Sequence, residues 1–451
     1  MSNFINNPPD NVGSSMYTRI LTLVLCFLIV GLDGFDTGSA SYVAPVLHNL
    51  WMLDAKQLGL LFSSGFLGLA LGNFVWGPVA DSIGRKTVIV VSMLIFSFAS
   101  LGSAFAPSIT WLIGFRFLTG LGLGGALPNA ITLASEYCPP RHKALLITTV
   151  LLAFPGGLAL SGLTASISIP AFGWKSVFII GWMAPLLLVP VVWLFLPESV
   201  QFMQRKGPAG QAHIEQTAQP HSSPLFALFS EGVSVGTAIL WMTFFCSMWA
   251  YYQVTNWLPV LITGAGVNPS QASTVASLFP FGGLIGSLVA AWIMDKCNRY
   301  AVLAAYYFLG ALLTGVIGFC VHSPELLSWV VFSAGIALGG VQPSLIYLAA
   351  DFYPDDIRAT GVAWGLGVGR LGSIVGAATG GAVLAGVRGI EQAFPMFAVP
   401  VLVAGLGMSV MIWLYRVRSI PNQEGDQGQS YPVNGGVRYT RTGSDASPLR
   451  R

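Results

Sequence analysis

The sequence predicts an all-α membrane protein of twelve transmembrane helices, arranged as two six-helix bundles. Three observations support this prediction. The 451-residue chain is 54% hydrophobic and only 9% charged, with a mean hydropathy of +0.70, which does not describe a soluble surface. Apolar stretches of about twenty residues or more recur along the chain, and each is long enough to cross a hydrocarbon core of about 30 Å as a helix. The two halves of the chain also share motifs at a nearly constant offset.

Each half contains six apolar stretches. In the first half we expect helices at Ile20 to Leu47, Gln57 to Ala80, Thr87 to Ala106, Trp111 to Ser135, Lys143 to Ile169 and Val177 to Leu196. In the second half we expect them at Gly232 to Leu261, Gln271 to Met294, Ala301 to Val321, Pro324 to Ala350, Ile357 to Leu384 and Gln392 to Tyr415. The first stretch is too long for the apolar core of a signal peptide and carries charge in its middle, so we interpret it as a retained helix.

Polar segments divide the chain. A linker at residues 198–231 separates an N-terminal bundle, residues 20–197, from a C-terminal bundle, residues 232–416. Residues 417–451 are rich in Gly, Ser, Asn, Gln and Arg without an apolar period, which predicts a disordered tail. Most of the 21 Lys and Arg residues lie in segments on the side of residues 1–19. By the positive-inside rule, that N-terminal segment, the linker and the tail are expected in the cytoplasm.

Charged residues at the predicted helix ends repeat between the two halves. The matched residues are Asp81 with Asp295 and Arg85 with Arg299, at an offset of 214, and Glu136 with Asp351, at an offset of 215. Because two separate blocks share nearly one offset, we interpret them as an internal repeat rather than chance matches in a Gly-rich chain. Two repeated bundles are typical of alternating-access carriers, whose substrate lies between the halves near the bilayer midplane.

The segment between the second and third helices carries a recognisable motif. Gly72 to Lys86 reads GNFVWGPVADSIGRK and resembles the cytoplasmic signature of the major facilitator superfamily. The resemblance implies the fold of that superfamily and a gating role for Gly77, Asp81 and Arg85. The second-half copy departs from the Gly-rich form, since Ala291 stands where the first half has Gly77.

The repeated acids support a gating interpretation. An acid at the C-terminal end of a helix opposes the helix dipole, so Glu136 should need a cation such as Arg85 nearby. The same reasoning pairs Asp351 with Arg299, beside Asp295. The alternative is that all of these are solvated loop charges, which explains the basic residues but not the repetition of the acids.

No enzyme, cofactor or metal site is predicted. The GLGLGG at residues 120–125 would need a preceding strand to be a dinucleotide-binding loop, and none precedes it, so its glycines are expected to allow close helix packing. The five cysteines have no paired spacing that would indicate a disulfide or a metal. The net charge of +3 is explained by the cytoplasmic segments, so no nucleic-acid partner is expected.

Four charged residues lie well inside predicted helices: Asp33, Asp36, Arg116 and Arg370. Each costs at least about 2.5 kcal/mol at the bilayer centre, so each should face a partner or a water-filled cavity. Asp33 and Asp36 share a helix face and would disfavour each other's ionisation, which suits a proton site. A buried guanidinium suits a bidentate carboxylate ligand. The alternative is two buried ion pairs that only fix the helix register.

Two longer stretches carry a more specific resemblance. Leu32 to Ala44, LDGFDTGSASYVA, and Arg358 to Gly381, RATGVAWGLGVGRLGSIVGAATGG, resemble the first and eleventh helices of the aromatic acid:proton symporter family. This family includes carriers for 4-hydroxybenzoate, protocatechuate and phenylpropionates. The resemblance covers nearly the whole membrane portion. It implies that Asp33 and Asp36 are needed for proton coupling, and it identifies Arg370 as the arginine of that family's eleventh helix.

A pocket for an aromatic ring needs flat apolar walls and a few polar groups. The candidates are Phe35, Trp249, Tyr251, Tyr252 and Gln342. Since aromatic residues make up 12% of the chain, packing is the alternative role for each aromatic candidate.

The sequence therefore predicts a symporter that imports a small aromatic carboxylate with protons. The protein is expected to lie in the lipid bilayer of the bacterial inner membrane and to function as a monomer. Three alternatives remain open: a symporter for a non-aromatic acid of the muconate or sugar-acid type, a proton-driven exporter, and a transporter-like chemoreceptor.

Overall fold

The computed structural model describes residues 16–139, 142–206, 228–229, 233–355, 357–386 and 389–415. The helical part forms one compact unit that ends at Leu414. The predicted tail at 417–451, most of residues 1–19 and most of the linker at 198–231 lie outside the described residues.

In the first half, the described residues form six long helices and one short one. They are α1 (Met16–Trp51), α2 (Ala55–Ile83), α3 (Arg85–Ala104), α4 (Ile109–Tyr137), α5 (Lys143–Phe172), α6 (Lys175–Phe195) and the short α7 (Val200–Lys206). The second half contains α8 (Ser234–Gly264), α9 (Pro269–Met294), α10 (Arg299–Val316) with a 3₁₀ turn at Ile317–Cys320, α11 (Pro324–Phe352), α12 (Arg358–Gly386) and α13 (Ile390–Leu414). The predicted all-α class with six long helices in each half is confirmed.

Eleven helices of the described part are long and apolar enough to cross a membrane. The long helix outside this set is α8, whose 31 residues would span about 46 Å. Its length suffices, but its middle carries Tyr251, Tyr252, Gln253 and Asn256, which lower its hydropathy. All four side chains are buried, so these polar groups face other parts of the protein rather than lipid.

Local signals fix several helix ends. Asp54 caps α2 in a capping box, in which its carboxylate accepts from the backbone N–H of Gln57 and the Gln57 side chain accepts in return. Asn268 and Asn298 cap α9 and α10, since their side-chain oxygens accept from the backbone N–H groups of Ser270 and Ala301. The tight turn between α2 and α3 is made by Gly84 at φ 101°, a conformation that suits glycine.

Glycines bring helices into close contact in both halves. A Cβ on Gly120 or Gly124 of α4 would collide with the backbone of α2, and a Cβ on Gly335 or Gly339 of α11 would collide with that of α9. Side chains at these positions would force the helices apart. The role in helix packing predicted for the Gly-rich run of α4 matches this geometry.

The two bundles meet near the end of the molecule that carries Trp51. The Ser41 hydroxyl of α1 donates to Asn256 Oδ1 of α8 over 2.6 Å, and the Phe62 ring of α2 meets the Trp257 ring of α8 edge-on at 5.3 Å. Toward the opposite end, a Cβ on Gly77 of α2 would meet nothing within 4 Å. The described helices therefore close the seam between the bundles at the Trp51 end.

Candidate functional site

Among the four charged residues inside the membrane helices, Asp36 has a clear ion-pair partner in Arg116. Its carboxylate accepts from Arg116 Nη2 at 2.8 Å and from the Ser100 hydroxyl at 2.9 Å. The guanidinium also donates to the Asp36 carbonyl and to the Ser39 hydroxyl, and it lies 5.5 Å from the centre of the Phe178 ring. Asp36 and Arg116 are 1% and 3% exposed. Since α1 and α4 belong to the same bundle, this is a buried ion pair within one bundle.

Asp33 lies one turn before Asp36 and is differently placed. It is fully buried, and the Thr37 hydroxyl donates to its Oδ1 at 3.3 Å. Its Oδ2 has no hydrogen-bond partner among the described residues. A buried carboxylate oxygen without a partner is costly and suits a group that takes up a proton.

The second arginine approaches Asp33 from the other bundle. Arg370 of α12 interacts electrostatically with Asp33 and with the hydroxyl of Tyr252 on α8. Unlike Arg116, it is only half-buried. The two acids and two arginines therefore do not form two equivalent pairs: one pair lies inside a bundle and the other interaction crosses between bundles.

A narrow cavity lies between the bundles beside these charges. Its free volume is about 20 Å³, room for about one water molecule, and its lining includes Thr37, Phe62, Phe66, Arg116 and Asn256. The Phe66 ring lies 4.4 Å from the ring of Tyr252, so the aromatic wall continues from α2 to α8. The arrangement combines aromatic walls with a guanidinium and hydroxyl groups, a chemistry that suits a planar ring with a carboxylate, although the cavity has to widen before it can hold one.

Tyr251 and Tyr252 follow each other on α8 and are both buried. Tyr252 faces the cavity side through Phe66, whereas Tyr251 packs on Phe279 at 5.5 Å. Trp249 precedes Tyr252 by three residues and so lies on the same face of α8. The structure thus brings Tyr252 and Trp249 to one face and directs Tyr251 toward α9.

None of the five predicted wall residues is in this cavity lining, and Phe35 and Gln342 contact other parts of the molecule. The Phe35 ring lines a separate apolar groove of α1, α5 and α6. Gln342 on α11 donates to the Ser247 hydroxyl at 3.1 Å and is half-buried. A substrate-binding role for Phe35 has no support in this placement, because the ring turns away from the inter-bundle cavity.

Two predicted gating residues of the first half, Arg85 and Glu136, belong to a compact network. Arg85 makes an ion pair with Glu136, whose carboxylate also accepts from the Ser199 hydroxyl at 2.9 Å and from the backbone N–H of Val200 at 2.8 Å. Next to it, Glu198 accepts from the backbone N–H of Lys86 at 3.1 Å. Helices α3 and α4 and the segment after α6 are therefore tied together.

Gly77 and Asp81 lie at the same end of α2 and are exposed.

The second-half copy of the network is more exposed to solvent. Arg299 makes an ion pair with Asp351, but the two side chains are 33% and 52% exposed. Asp295, at the end of α9, is exposed and also interacts electrostatically with Arg299. The acid and the arginine of each repeat therefore form an ion pair in both halves, but the second-half pair is less buried than the first-half pair.

Several site residues were missed from the sequence. Glu198 and Ser199 belong to an LPES motif, and Asn256 to an NWLP motif, both too short to indicate a role alone. Asn256 carried a further signal: it lies 215 residues after Ser41, its hydrogen-bond partner, which is the offset of the repeat. Thr37 and Tyr252 are related by the same offset. The hydrogen bond between Ser41 and Asn256 thus joins equivalent positions of α1 and α8 across the seam.

Comparison with known proteins agrees with this architecture. The family model described as Major Facilitator Superfamily matches residues 26–268 and 261–441. Among solved structures, a D-xylose-proton symporter matches with a TM-score of 0.70, covering 87% of this chain and 97% of that one at 17% identity. The inward open conformation of the xylose transporter XylE from E. coli matches at 0.66 and 16% identity, covering 87% and 96%. At such identities these matches show the fold alone.

Several proteins share a higher sequence identity with this chain than these solved structures do. The gallate transporter of Pseudomonas putida is 39% identical over 406 residues, which covers 86% of this chain and 90% of the relative. The 4-hydroxybenzoate transporter PcaK of Acinetobacter baylyi is 37% identical over 412 residues, covering 86% and 90%. The 3-(3-hydroxy-phenyl)propionate transporter of Escherichia coli is 35% identical over 399 residues, covering 88% and 95%. The chain therefore belongs to the major facilitator superfamily and, within it, to the family of aromatic acid transporters that these relatives represent.

Proposed function

We propose that this transporter imports a small aromatic carboxylate together with protons by alternating access. The observation that carries the proposal is the cavity between the bundles, whose aromatic walls are Phe62 and Phe66. The Phe66 ring contacts that of Tyr252, which interacts electrostatically with Arg370 and the buried Asp33. The names of the sequence relatives, all transporters of hydroxylated aromatic acids, agree with it.

Arg370 is the better candidate for the substrate carboxylate. Arg116 already donates to Asp36 and Ser39, so its donors are largely committed inside the first bundle. Arg370 is half-buried and shares its charge between Asp33 and Tyr252. A planar guanidinium can hold a carboxylate through two parallel hydrogen bonds.

Coupling follows from competition for that guanidinium. A substrate carboxylate that binds Arg370 weakens the interaction of Arg370 with Asp33. A buried carboxylate that loses its cation is favoured in its protonated form. Because Asp33 and Arg370 belong to different bundles, rocking of the bundles changes their separation, so substrate and proton move through the same conformational cycle.

We place the network end of the molecule in the cytoplasm. Arg85, Lys86, Arg299 and Arg358 all lie next to helix termini at that end, as the positive-inside rule requires. Both termini are then cytoplasmic, and the seam closed by Ser41 and Asn256 faces outward.

Uptake into proteoliposomes tests the proposal. The purified protein is supplied with labelled 4-hydroxybenzoate, protocatechuate, benzoate, muconate or gluconate, with and without an inward proton gradient. We expect accumulation of aromatic acids that depends on the gradient and is abolished by a protonophore. Equal or greater accumulation of muconate or gluconate would favour the non-aromatic alternative. Binding without accumulation would indicate a sensor. Transport of the acid only in the outward direction would indicate an exporter.

A further inference from the structure

Thr37 connects the buried acid to the cavity. It lies one helical turn after Asp33, it is half-buried, and it lines the inter-bundle cavity. Its hydroxyl donates to Asp33 Oδ1 at 3.3 Å, while Asp33 itself is fully buried. Asp33 is absent from the cavity lining, so Thr37 is a residue that borders the cavity and also contacts Asp33.

A threonine hydroxyl has one proton to donate and two lone pairs that accept. When Asp33 is ionised, it can only accept, and the single Thr37 proton is directed to it. When Asp33 carries a proton, its O–H can donate to Thr37 Oγ1, and the Thr37 proton becomes free to point into the cavity. Protonation of Asp33 thus changes the acceptor to which the Thr37 hydroxyl can donate its hydrogen bond.

We propose that Thr37 is a coupling residue that donates a hydrogen bond to the bound aromatic carboxylate only when Asp33 is protonated. The inference rests on the proposed function. It adds a link by which proton uptake raises substrate affinity and, by reciprocity, bound substrate favours the proton.

The other groups around Asp33 do not offer this connection. Asp36, on the same helix, is occupied by Arg116 of α4 and by Ser100 of α3. Arg370 of α12 and Tyr252 of α8 also act on Asp33. The guanidinium has no lone pair that could accept a proton from Asp33, so it cannot switch between donor partners as a hydroxyl can. The Tyr252 hydroxyl can both donate and accept, but Tyr252 does not line the cavity.

The test measures substrate affinity as a function of pH. Equilibrium binding of labelled 4-hydroxybenzoate, or of whichever acid the uptake panel shows to be transported best, is determined in detergent between about pH 5 and about pH 8, a window chosen to bracket titration of a buried carboxylate. In the wild type, affinity should rise roughly tenfold as pH falls, the factor expected for one added hydrogen bond. Thr37→Val, which keeps the shape and removes the hydroxyl, should reduce this rise to about twofold or less, with affinity at high pH nearly unchanged.

Three further variants complete the experiment. Thr37→Ser keeps the hydroxyl and should restore the pH dependence, and Thr37→Ala removes the hydroxyl should the valine variant fold poorly. Thr22→Val is the matched control, because Thr22 is a buried residue of the same helix whose hydroxyl donates to the Thr18 carbonyl.

The outcomes separate the two proposals. A wild-type affinity that rises at low pH and rises equally in Thr37→Val and Thr37→Ala overturns the role of Thr37 while leaving proton coupling intact. An affinity that does not change with pH in the wild type overturns the coupling itself, and the role of Thr37 with it. A rise lost in Thr37→Val and kept in Thr37→Ser and Thr22→Val supports the inference.

Discussion

The buried pair of Asp36 and Arg116 gives the sharpest test of how the membrane charges are divided. Asp36→Asn keeps the side-chain shape but leaves the Arg116 guanidinium, 3% exposed, without a counter-charge. Removing one partner of a buried ion pair costs about 3 to 5 kcal/mol, because the remaining charge stays desolvated. We therefore expect Asp36→Asn and Arg116→Met each to lower the free energy of unfolding by about this amount.

The double variant distinguishes a pair from two independent charges. Asp36→Asn with Arg116→Met removes both charges, so the desolvation cost of the remaining partner disappears. Its loss of stability should be smaller than the sum of the single losses by about 2 kcal/mol or more. The free energy of unfolding is measured for all four proteins by equilibrium denaturation in the same detergent.

Asp33→Asn is the matched control, since it makes the same substitution one turn earlier on α1. Asp33 Oδ2 has no hydrogen-bond partner among the described residues, so neutralising this residue should leave stability unchanged or raise it. The same variant should lose accumulation driven by a proton gradient. Additive losses for Asp36 and Arg116, or an equally large loss for Asp33→Asn, would refute the division into a structural pair and a titrating acid.

Three further outcomes are expected. Arg370→Lys should weaken substrate binding and Arg370→Ala remove it, at a cost of about 2 to 5 kcal/mol in an equilibrium binding assay; recovery of affinity on adding Asp33→Asn would instead make Arg370 a counter-ion only. Glu136→Gln weakens the charge-assisted bonds of the first-half network and should lower the thermal midpoint and the rate of transport, with substrate affinity little changed; unaltered kinetics would argue against gating. Ser41→Ala removes the hydrogen bond to Asn256 that crosses the bundles, so it should increase labelling of cysteines introduced at the Trp51 end of the seam, whereas wild-type labelling would show that this bond does not hold the seam.

The architecture was accessible from the sequence because length and apolarity of a segment are local properties. The predicted first helix, Ile20 to Leu47, lies inside the observed Met16–Trp51, and the remaining helices differ mainly at their ends. Helix ends extend beyond the apolar run because capping groups such as Asp54, rather than hydropathy, set where a helix starts.

The pairing of charges was not accessible in the same way. Spacing places Asp33 and Asp36 on one face of α1, but it does not tell which arginine each of them meets. Phe35 illustrates the same limit, because successive helical residues are rotated by about 100° and a neighbour of two site residues turns toward a different helix. Glu198 and Ser199 were missed because their partners Lys86 and Glu136 lie far away in sequence.

The two halves also show that equal sequence motifs need not have equal energies. Glu136 is 6% exposed and has three partners, whereas its counterpart Asp351 is 52% exposed. A surface pair such as Arg299 with Asp351 contributes about 0 to 1 kcal/mol. If both networks act as gates, as proposed, we expect the second-half pair to open and close at little cost and the first-half network, held by the segment after α6, to move as a unit.

The same distinction decides where coupling can reside. A rocking motion of two bundles leaves contacts inside each bundle unchanged, so the pair of Asp36 and Arg116 is the same before and after the motion and cannot distinguish the two states. Only contacts that cross the seam differ between states, and a ligand or a proton shifts the equilibrium only through such differences. Among the membrane charges of the described residues, the interaction of Asp33 with Arg370 crosses the seam. Under the proposed mechanism we therefore expect proton and substrate to act on this interaction, and the Thr37 hydroxyl, which donates to Asp33, lies where it can respond to both.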